Sequence, residues 1–454
     1  MIRFRLSEIE QPLEARRLGA DRVFSSVSTD TRALGPGNLF VALQGPRFDG
    51  HDYLTQAQQR GAVAAMVHRE TEIQLPQLLV EDTRIGLGQL ARLWRQASNA
   101  SLVAVTGSNG KTTVKEMLAA ILSFQGSVLA TRGNLNNDIG LPLTLLRLQE
   151  HDYAVVELGA NHSGEIEYLS QIAQPDVALL NNAGHAHLEG FGSLEGVARA
   201  KGEIISGLAE DGHFVFNADD PWAPLWQELA QGHPTRSFGS REPADVWSPP
   251  GALELRWNDV GFLSRFPVTT PQGELEIECC LAGEHNRMNA LAAIATAQIL
   301  GAGPEEIRAG FEQLEPVKGR LQPLAGRNGV GLIDDSYNAN PDSVAAAIHV
   351  LATAPGRRFL VLGELAELGP GANRFYQGIA ELARSAGIDH LYAVDGAGQT
   401  AEIFGPGGRA FPTQELLIDG LEQILRSGDR VLVKGSRRAG MERVIAALAD
   451  RGEV

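Results

Sequence analysis

The stretch Val103-Ala-Val-Thr-Gly-Ser-Asn-Gly-Lys-Thr-Thr113 joins the end of a short apolar run to a glycine-bearing turn and the start of an amphipathic segment. Residues 102–105 predict a strand, and the segment after the turn predicts a helix. The helix has one apolar stripe, formed by Val114, Met117, Leu118, Ile121 and Leu122. A strand, a glycine turn and a helix N-terminus in this order predict an anion site, because free N–H groups and the helix dipole face the turn.

The residues of the turn indicate that the anion is a phosphate. Gly107 and Gly110 allow close backbone approach, Lys111 adds a positive charge, and Thr112 offers a hydroxyl group to a metal ion. The spacing is not that of the standard Walker A motif, because Val105 stands where that motif has its first glycine. The alternative is a tight strand-to-helix turn with an incidental lysine. The shared register of strand, turn and helix favours the phosphate site.

Length and composition set the broad class. With 454 residues the chain is predicted to form about three domains. No apolar run approaches the ~20 residues of a membrane span, and the charged first eleven residues do not resemble a signal peptide. The only cysteines, Cys279 and Cys280, are adjacent, which is typical of a reducing cytoplasm. A net charge of −16 argues against a general nucleic-acid binder.

Strands that alternate with helices predict an α/β protein of three domains. Residues 1–84 are predicted to form a small α/β domain. Residues 85–314 are predicted to form a P-loop-type, doubly wound parallel sheet, with a small antiparallel insertion at 244–281. Residues 315–454 are predicted to form a second, Rossmann-like α/β domain without a phosphate loop. Here Asn340 is expected to cap a helix that begins at Pro341.

Two features of the central part suggest metal chemistry. Glu157 ends a predicted strand, the position at which an open α/β sheet presents a magnesium ligand, although a surface glutamate is the alternative. His185 and His187 are two positions apart, as in some zinc sites. No cysteine pair or third histidine lies nearby, so a zinc hydrolase is disfavoured.

Together these motifs resemble the Mur ligase family over nearly the whole chain. The glycine turn is similar to the family's ATP loop, and Glu157, His187 and Lys201 are similar to its metal and substrate positions. The run Asp334-Asp-Ser-Tyr-Asn-Ala-Asn-Pro341 resembles the motif of the member that adds a dipeptide. Tyr376 is a departure, since a histidine is usual there, and we assign it no role.

The resemblance implies a set of site residues. Catalytic roles are implied for Lys111, His187 and Lys201. ATP contacts are implied for Thr106, Gly107, Ser108, Asn109, Gly110, Lys111, Thr112, Thr113, Asn289, Arg320 and Asp335. Metal ligation is implied for Thr112, Glu157, His187 and Lys201. Lys201 is expected as a carbamate, and the alternative is an ordinary lysine paired with Glu203, Glu195 or a substrate phosphate. Substrate contacts are implied for Ser28, Thr29, Asp30, Arg32, Asp49, His51, Asn134, Asn137, Tyr337, Asn338, Asn340, Lys434 and Ser436.

The implied activity is ATP- and Mg²⁺-dependent amide-bond formation through an acyl phosphate. D-alanyl-D-alanine would be added to UDP-N-acetylmuramoyl-tripeptide in peptidoglycan precursor synthesis. The first domain would bind the UDP-sugar peptide, the central one ATP, and the last would close on the nucleotide and bind the dipeptide. A cytoplasmic monomer is expected. The alternatives are another Mur ligase, a ligase like folylpolyglutamate synthase, or, in a different class, a nucleotide-dependent regulatory binding module.

Overall fold

The computed structural model of the chain describes residues 1–186, 188–258, 261–368 and 371–450. Within these ranges the chain forms sheets of five, ten and six strands, together with two two-stranded pairs. Helices flank the three larger sheets, as expected for alternating strands and helices. None of the helices in these ranges has the length and apolar character needed to cross a membrane.

The first sheet has the strand order β2-β9-β8-β5-β4, with β4, β5, β8 and β9 parallel and β2 antiparallel. Its part of the chain comprises β1 (Phe4–Arg5), α1 (Leu6–Ile9), β2 (Arg16–Leu18), β3 (Val23–Phe24), β4 (Ser26–Ser28), β5 (Asn38–Val41), β6 (Gln44–Gly45), β7 (Phe48–Asp49), α2 (Leu54–Gln59), β8 (Ala64–Val67) and β9 (Gln77–Leu79). These strands and short helices confirm the small α/β domain predicted for the first part of the chain.

The central sheet has the order β11-β12-β10-β13-β14-β15-β16-β18-β17, with β19 also paired to β18. Its elements are α3 (Thr83–Gln96), β10 (Ser101–Thr106), α4 (Lys111–Leu122), β11 (Val128–Ala130), α5 (Gly140–Leu145), β12 (Tyr153–Glu157), α6 (Glu165–Ala173), β13 (Val177–Leu180), α7 (Leu188–Phe191), α8 (Leu194–Gly202), β14 (His213–Asn217), α9 (Ala223–Leu229), β15 (Thr235–Gly239), β16 (Val246–Trp247), β17 (Glu254–Trp257), β18 (Phe262–Thr270), β19 (Gly273–Cys279), α10 (Glu284–Ile299) and α11 (Pro304–Glu312).

The strands from β11 to β16 are parallel, and β17 to β19 are antiparallel. The antiparallel insertion predicted at 244–281 is therefore confirmed. It is not a separate small sheet, because its first strand, β16, pairs with β15 as well as with β18 and makes the insertion the continuation of the central sheet. Helix α3 begins at Thr83 and so crosses the boundary predicted between residues 84 and 85.

The third sheet has the order β20-β21-β25-β22-β23-β24, with β20 antiparallel to the other strands. Its elements are β20 (Gln322–Ala325), β21 (Gly331–Asp335), α12 (Pro341–Ala352), β22 (Arg358–Leu362), α13 (Ala372–Ser385), β23 (His390–Val394), α14 (Gly398–Phe404), β24 (Gly408–Phe411), α15 (Gln414–Ile424), β25 (Arg430–Lys434) and α16 (Glu442–Leu448). As predicted, Asn340 caps α12, which begins at Pro341.

The antiparallel edge of the central sheet packs against the third sheet. Phe262 at the start of β18 is buried in the same apolar cluster as Ile333 of β21 and Val344 of α12. Trp257 at the end of β17 donates a 3.1 Å hydrogen bond from Nε1 to the hydroxyl oxygen of Thr353. This contact joins the two sheets at one end and leaves a cavity where the carboxyl ends of β10, β12 and β13 face α12.

Candidate active site

The glycine turn between β10 and α4 has the geometry of an anion site. Gly107 has φ of 151° and Gly110 has φ of 84°, both in the region that favours glycine. The Lys111 ammonium group folds back and donates a 2.5 Å hydrogen bond to the carbonyl oxygen of Gly107. Burial lowers the pKa of Lys111 to about 8. The negative charge of Glu157 acts to raise this pKa, and the positive charge of Arg320 acts to lower it. A buried cation without a full counter-charge favours an anionic ligand.

Three asparagines hold this turn in place. The Asn181 amide nitrogen lies 2.8 Å from Asn289 Oδ1 and 3.0 Å from the carbonyl oxygen of Asn109. The Asn109 N–H group donates to Asn182 Oδ1 at 2.9 Å. A Cβ atom on Gly110 would lie 2.3 Å from Asn289 Oδ1, so only glycine fits there. The sequence interpretation missed Asn181 and Asn182, although their place directly after β13 was a usable signal.

Glu157, at the end of β12, is buried next to the turn. Its Oε1 atom has no hydrogen-bond partner among the described residues, and the nearest cation, Lys115 Nζ, lies 3.9 Å away. Its Oε2 atom is 3.5 Å from the amide nitrogen of Asn136, a third residue that the sequence interpretation missed. An unpaired buried carboxylate oxygen is costly, and a bound cation would satisfy it.

Lys201, on α8, has only 1% of its surface exposed. The structure gives its ammonium group no hydrogen-bond or ion-pair partner within the described ranges, and the nearest aromatic contact is the Phe191 ring, with its centroid 5.2 Å away. Burial, followed by repulsion from Lys111, lowers the pKa of Lys201 to about 7, against the attraction of Glu203 and Glu165. His187, for which metal ligation was predicted together with Lys201, lies outside the described residues.

The third sheet brings a second set of charged groups to the cavity. Lys434, at the end of β25, donates to Asp335 Oδ2 at 2.5 Å and to the carbonyl oxygen of Asn338 at 3.0 Å. The Arg320 guanidinium group lies 4.4 Å from the centroid of the Tyr337 ring. Burial, followed by repulsion from Lys434, lowers the pKa of His285 to about 4, so this histidine is neutral.

The first turn of α12 contacts two loops of the central sheet. The Asn340 amide nitrogen donates to Asn109 Oδ1 at 2.8 Å. Asp342 Oδ2 accepts from the His185 N–H group at 2.7 Å, and Asp342 Oδ1 lies 3.0 Å from His185 Nδ1. The Phe375 ring of α13 lies edge-on to the His185 ring, with 5.7 Å between centroids. Sequence reasoning missed Asp342, which directly follows the predicted signature run.

These elements enclose a cavity of ≈ 1590 Å³ between the central and third sheets. The predicted site residues that line it are Ser108, Asn109, Gly110, Lys111, Thr112, Thr113, Asn137, Glu157, Asn289, Arg320, Asp335, Tyr337, Asn338, Asn340, Lys434 and Ser436. The cavity is not lined by four other predicted site residues, which are Thr106, Gly107, Asn134 and Lys201. The site residues predicted in the first part of the chain, up to His51, do not line it either. Thr106 instead donates from its hydroxyl group to the carbonyl oxygen of Leu158.

The predicted sugar-pocket residues of the first sheet form two local networks. Around β4, Asp30 is paired with Arg32 at 2.8 Å and shares hydrogen bonds with Ser28, while Thr29 is half-buried. The second network surrounds Asp49. Its carboxylate binds His51 Nδ1 at 2.7 Å and the Arg69 guanidinium group at 2.8 Å.

Tyr376 has a structural contact that the sequence did not indicate. Its hydroxyl oxygen accepts the Leu365 N–H group at 3.0 Å. Leu365 and the next two residues line the cavity, so Tyr376 supports one wall of it from α13.

Comparison with known proteins agrees with this geometry. The Mur ligase family catalytic domain matches residues 23–122, the Mur ligase middle domain residues 105–297, and the Mur ligase glutamate ligase domain residues 319–437. The chain is 46% identical over 461 residues to the UDP-N-acetylmuramoyl-tripeptide–D-alanyl-D-alanine ligase of Escherichia coli strain K12, with 100% of both chains covered.

Solved structures show the same three-part fold, which confirms the predicted α/β architecture. The structure of MurF from Acinetobacter baumannii is 37% identical and superposes with a TM-score of 0.90 over 98% of both chains. MurF ligase from Thermotoga maritima in complex with ADP is 30% identical, with a TM-score of 0.82 over 93% of this chain and 96% of that one. Since the likeness in sequence and in fold spans nearly the full length of each relative, the chain belongs to the Mur ligase family.

Proposed function

We propose that the protein is an ATP-dependent ligase that joins D-alanyl-D-alanine to UDP-N-acetylmuramoyl-tripeptide through an acyl phosphate, in peptidoglycan precursor synthesis. The observation that carries the proposal is one cavity lined by the glycine turn, Glu157 and five residues of the signature run, Asp335 and residues 337–340. Relatives that match over 94–100% of their own length are named for this reaction.

The chemistry requires positive charge, because a carboxylate and a triphosphate must come together before the acyl phosphate forms. The chain supplies this charge through Lys111, which lines the cavity beside the glycine turn and whose pKa is lowered by burial. Lys111 would bind the outer phosphates, and its present bond to the Gly107 carbonyl oxygen would be exchanged for one to phosphate. Excluding water from these charges strengthens their effect on the transition state.

The site fits a magnesium ion. Glu157 Oε1 is a buried oxygen without a hydrogen-bond partner among the described residues, as a hard cation prefers, and Thr112 offers a hydroxyl group at the start of α4. When bound, magnesium would supply positive charge that offsets the negative charge of the triphosphate. Lys201 as a carbamate and His187 would serve a second ion. As an ammonium group Lys201 has donors only and cannot bind a metal, so its carbamate form is part of the proposal.

ATP would lie between the central and third sheets. Asn289 would face the base, and Arg320 and Asp335 would face the ribose. The geometry gives Asn289 a further role, since its side chain bonds to both Asn181 and Asn286 and so also shapes the turn. The dipeptide would bind near Tyr337, Asn338, Lys434 and Ser436, which line the opposite wall.

The UDP-sugar peptide would approach from the first sheet. Asp49 and Asp30 each hold an arginine, Arg69 and Arg32, at a partly exposed position. Arginines oriented in this way suit phosphate oxygens, because the guanidinium group offers several donors in one plane. The peptide would then run along Asn134 and Asn137 towards Glu157.

Phosphate release tests the proposal. Release should require ATP, Mg²⁺, UDP-N-acetylmuramoyl-tripeptide and D-alanyl-D-alanine together, and omission of any one of them should reduce it to background. Equal efficiency with single D-alanine, glutamate or diaminopimelate as acceptor would contradict the assignment and favour another ligase. Nucleotide binding without acceptor-dependent turnover would instead favour a regulatory binding module.

A further inference from the structure

Two residues at the start of α12 form hydrogen bonds to loops of the central sheet, and these bonds indicate a function for both residues. We refer to the pairs Asn109–Asn340 and His185–Asp342 as the docking contacts. Asn109 belongs to the glycine turn, and His185 follows β13, so each pair joins the third sheet to a loop at the carboxyl edge of the central sheet. Both pairs lie at the cavity.

The side chains in the docking contacts have few hydrogen-bonding groups left for a ligand. Asn340 Oδ1 caps α12 by accepting the Ser343 N–H group at 2.9 Å, and its amide nitrogen is directed at Asn109. Both carboxylate oxygens of Asp342 face His185. The fit is close, since a Cβ atom on Gly184 would lie 2.5 Å from Asp342 Oδ2.

We propose that Asn340 and Asp342 are positioning residues for the ligase reaction, which hold the third sheet against the ATP loop, and are not ligands of the dipeptide. The inference rests on the proposed function. With both contacts in place, Arg320 and Lys434 face the glycine turn across one cavity. Without them, the apolar packing around Phe262 still joins the two sheets, but the charged groups no longer converge.

The variant Asn340→Ser isolates one contact. Serine still caps the helix, because its hydroxyl oxygen accepts the Ser343 N–H group as the amide oxygen of asparagine does. Its short side chain cannot reach Asn109 and brings no charge to the glycine turn, so the link between the sheets is lost. For the second contact, Asp342→Ala and His185→Ala each remove one partner. Glu415→Ala is the matched control, since Glu415 also lies in the first turn of a third-sheet helix, is exposed, and does not line the cavity.

We expect Asn340→Ser, Asp342→Ala and His185→Ala each to lower kcat on the order of ten-fold, with little change in the KM for D-alanyl-D-alanine. The double variant His185→Ala/Asp342→Ala should lose no more than the worse single variant, because the two residues act as one contact. Small-angle X-ray scattering with a non-hydrolysable ATP analogue should show a larger radius of gyration for these variants than for the wild type and Glu415→Ala.

A raised KM for the dipeptide at unchanged kcat would overturn the inference, because it would make these residues acceptor ligands. Losses that multiply in the double variant, or variants with the wild-type radius and kcat, would also overturn it. The scattering measurement needs no turnover. A wild type without acceptor-dependent phosphate release would therefore refute the proposed function while leaving the docking contacts open to this separate test.

Discussion

The two buried lysines of the site differ in what surrounds them. Lys111 bonds to the Gly107 carbonyl oxygen and has Glu157 nearby as an opposite charge. Lys201 has no hydrogen-bond partner in the described part of the chain, and Lys111 repels it. A pKa of about 7 leaves much of the Lys201 amine neutral near physiological pH. The neutral amine is the form that reacts with carbon dioxide.

This contrast predicts different responses to mutation. Lys201→Ala should lose on the order of 10²-fold or more in turnover, and a short carboxylic acid such as formate should restore part of it, because it replaces the carbamate oxygens. Lys111→Ala should be equally inactive but should gain nothing from the acid. This variant lacks a cation, and a carboxylic acid does not replace one. Phosphate release with and without formate makes the comparison. Equal rescue of both variants, or of neither, would contradict the carbamate at Lys201.

At the scale of single elements, the glycine turn depends on Asn181 and Asn289, two neighbours that are distant from it in sequence. Gly110→Ala places a methyl group on a residue with φ of 84° and within 2.3 Å of Asn289 Oδ1. We expect this variant to raise the KM for ATP and to lower the melting temperature, since the positive φ alone costs about 1 kcal/mol.

A matched substitution separates the effect of the positive φ from the effect of the contact with Asn289. Gly232 has φ of 97° but no atom within 4 Å of its added Cβ. Gly232→Ala should therefore lower the melting temperature without affecting the KM for ATP. If both variants gave the same kinetics, the contact with Asn289 would have no bearing on the turn.

The elements around this turn were predictable from sequence because their signals are local. The apolar stripe of α4 and the alternation in β18 and β19 depend on neighbours a few residues apart. The bond between Asn181 and Asn289 joins residues 108 positions apart, and the one between Asn109 and Asn340 joins residues 231 apart. Local periodicity contains no information on such pairs. For the same reason, the sequence indicated an antiparallel insertion but not its pairing with β15 of the central sheet.

At the scale of the whole molecule, the proposed nucleotide site draws on two sheets. Arg320 precedes the third sheet and lies over Tyr337, whereas Asn289 lies on α10 beside the central sheet. Arg320→Ala and Asn289→Ala should each raise the KM for ATP more than the KM for the dipeptide. Steady-state kinetics with one substrate varied at a time gives both constants. A change in the dipeptide constant alone would place these residues in the acceptor site.

The packing of Phe262 has a consequence for how the chain can be divided. Phe262 and Ala282 are buried in the core of the third sheet, yet both precede residue 315, where sequence patterns place the start of the last domain. A fragment cut at 315 would lack part of its own core and would expose the surface around Ile333 and Val344 to water. The core of the third sheet therefore includes residues that come before residue 315 in the chain. Exchange of this domain between relatives would require transfer of the β17–β18 hairpin with it.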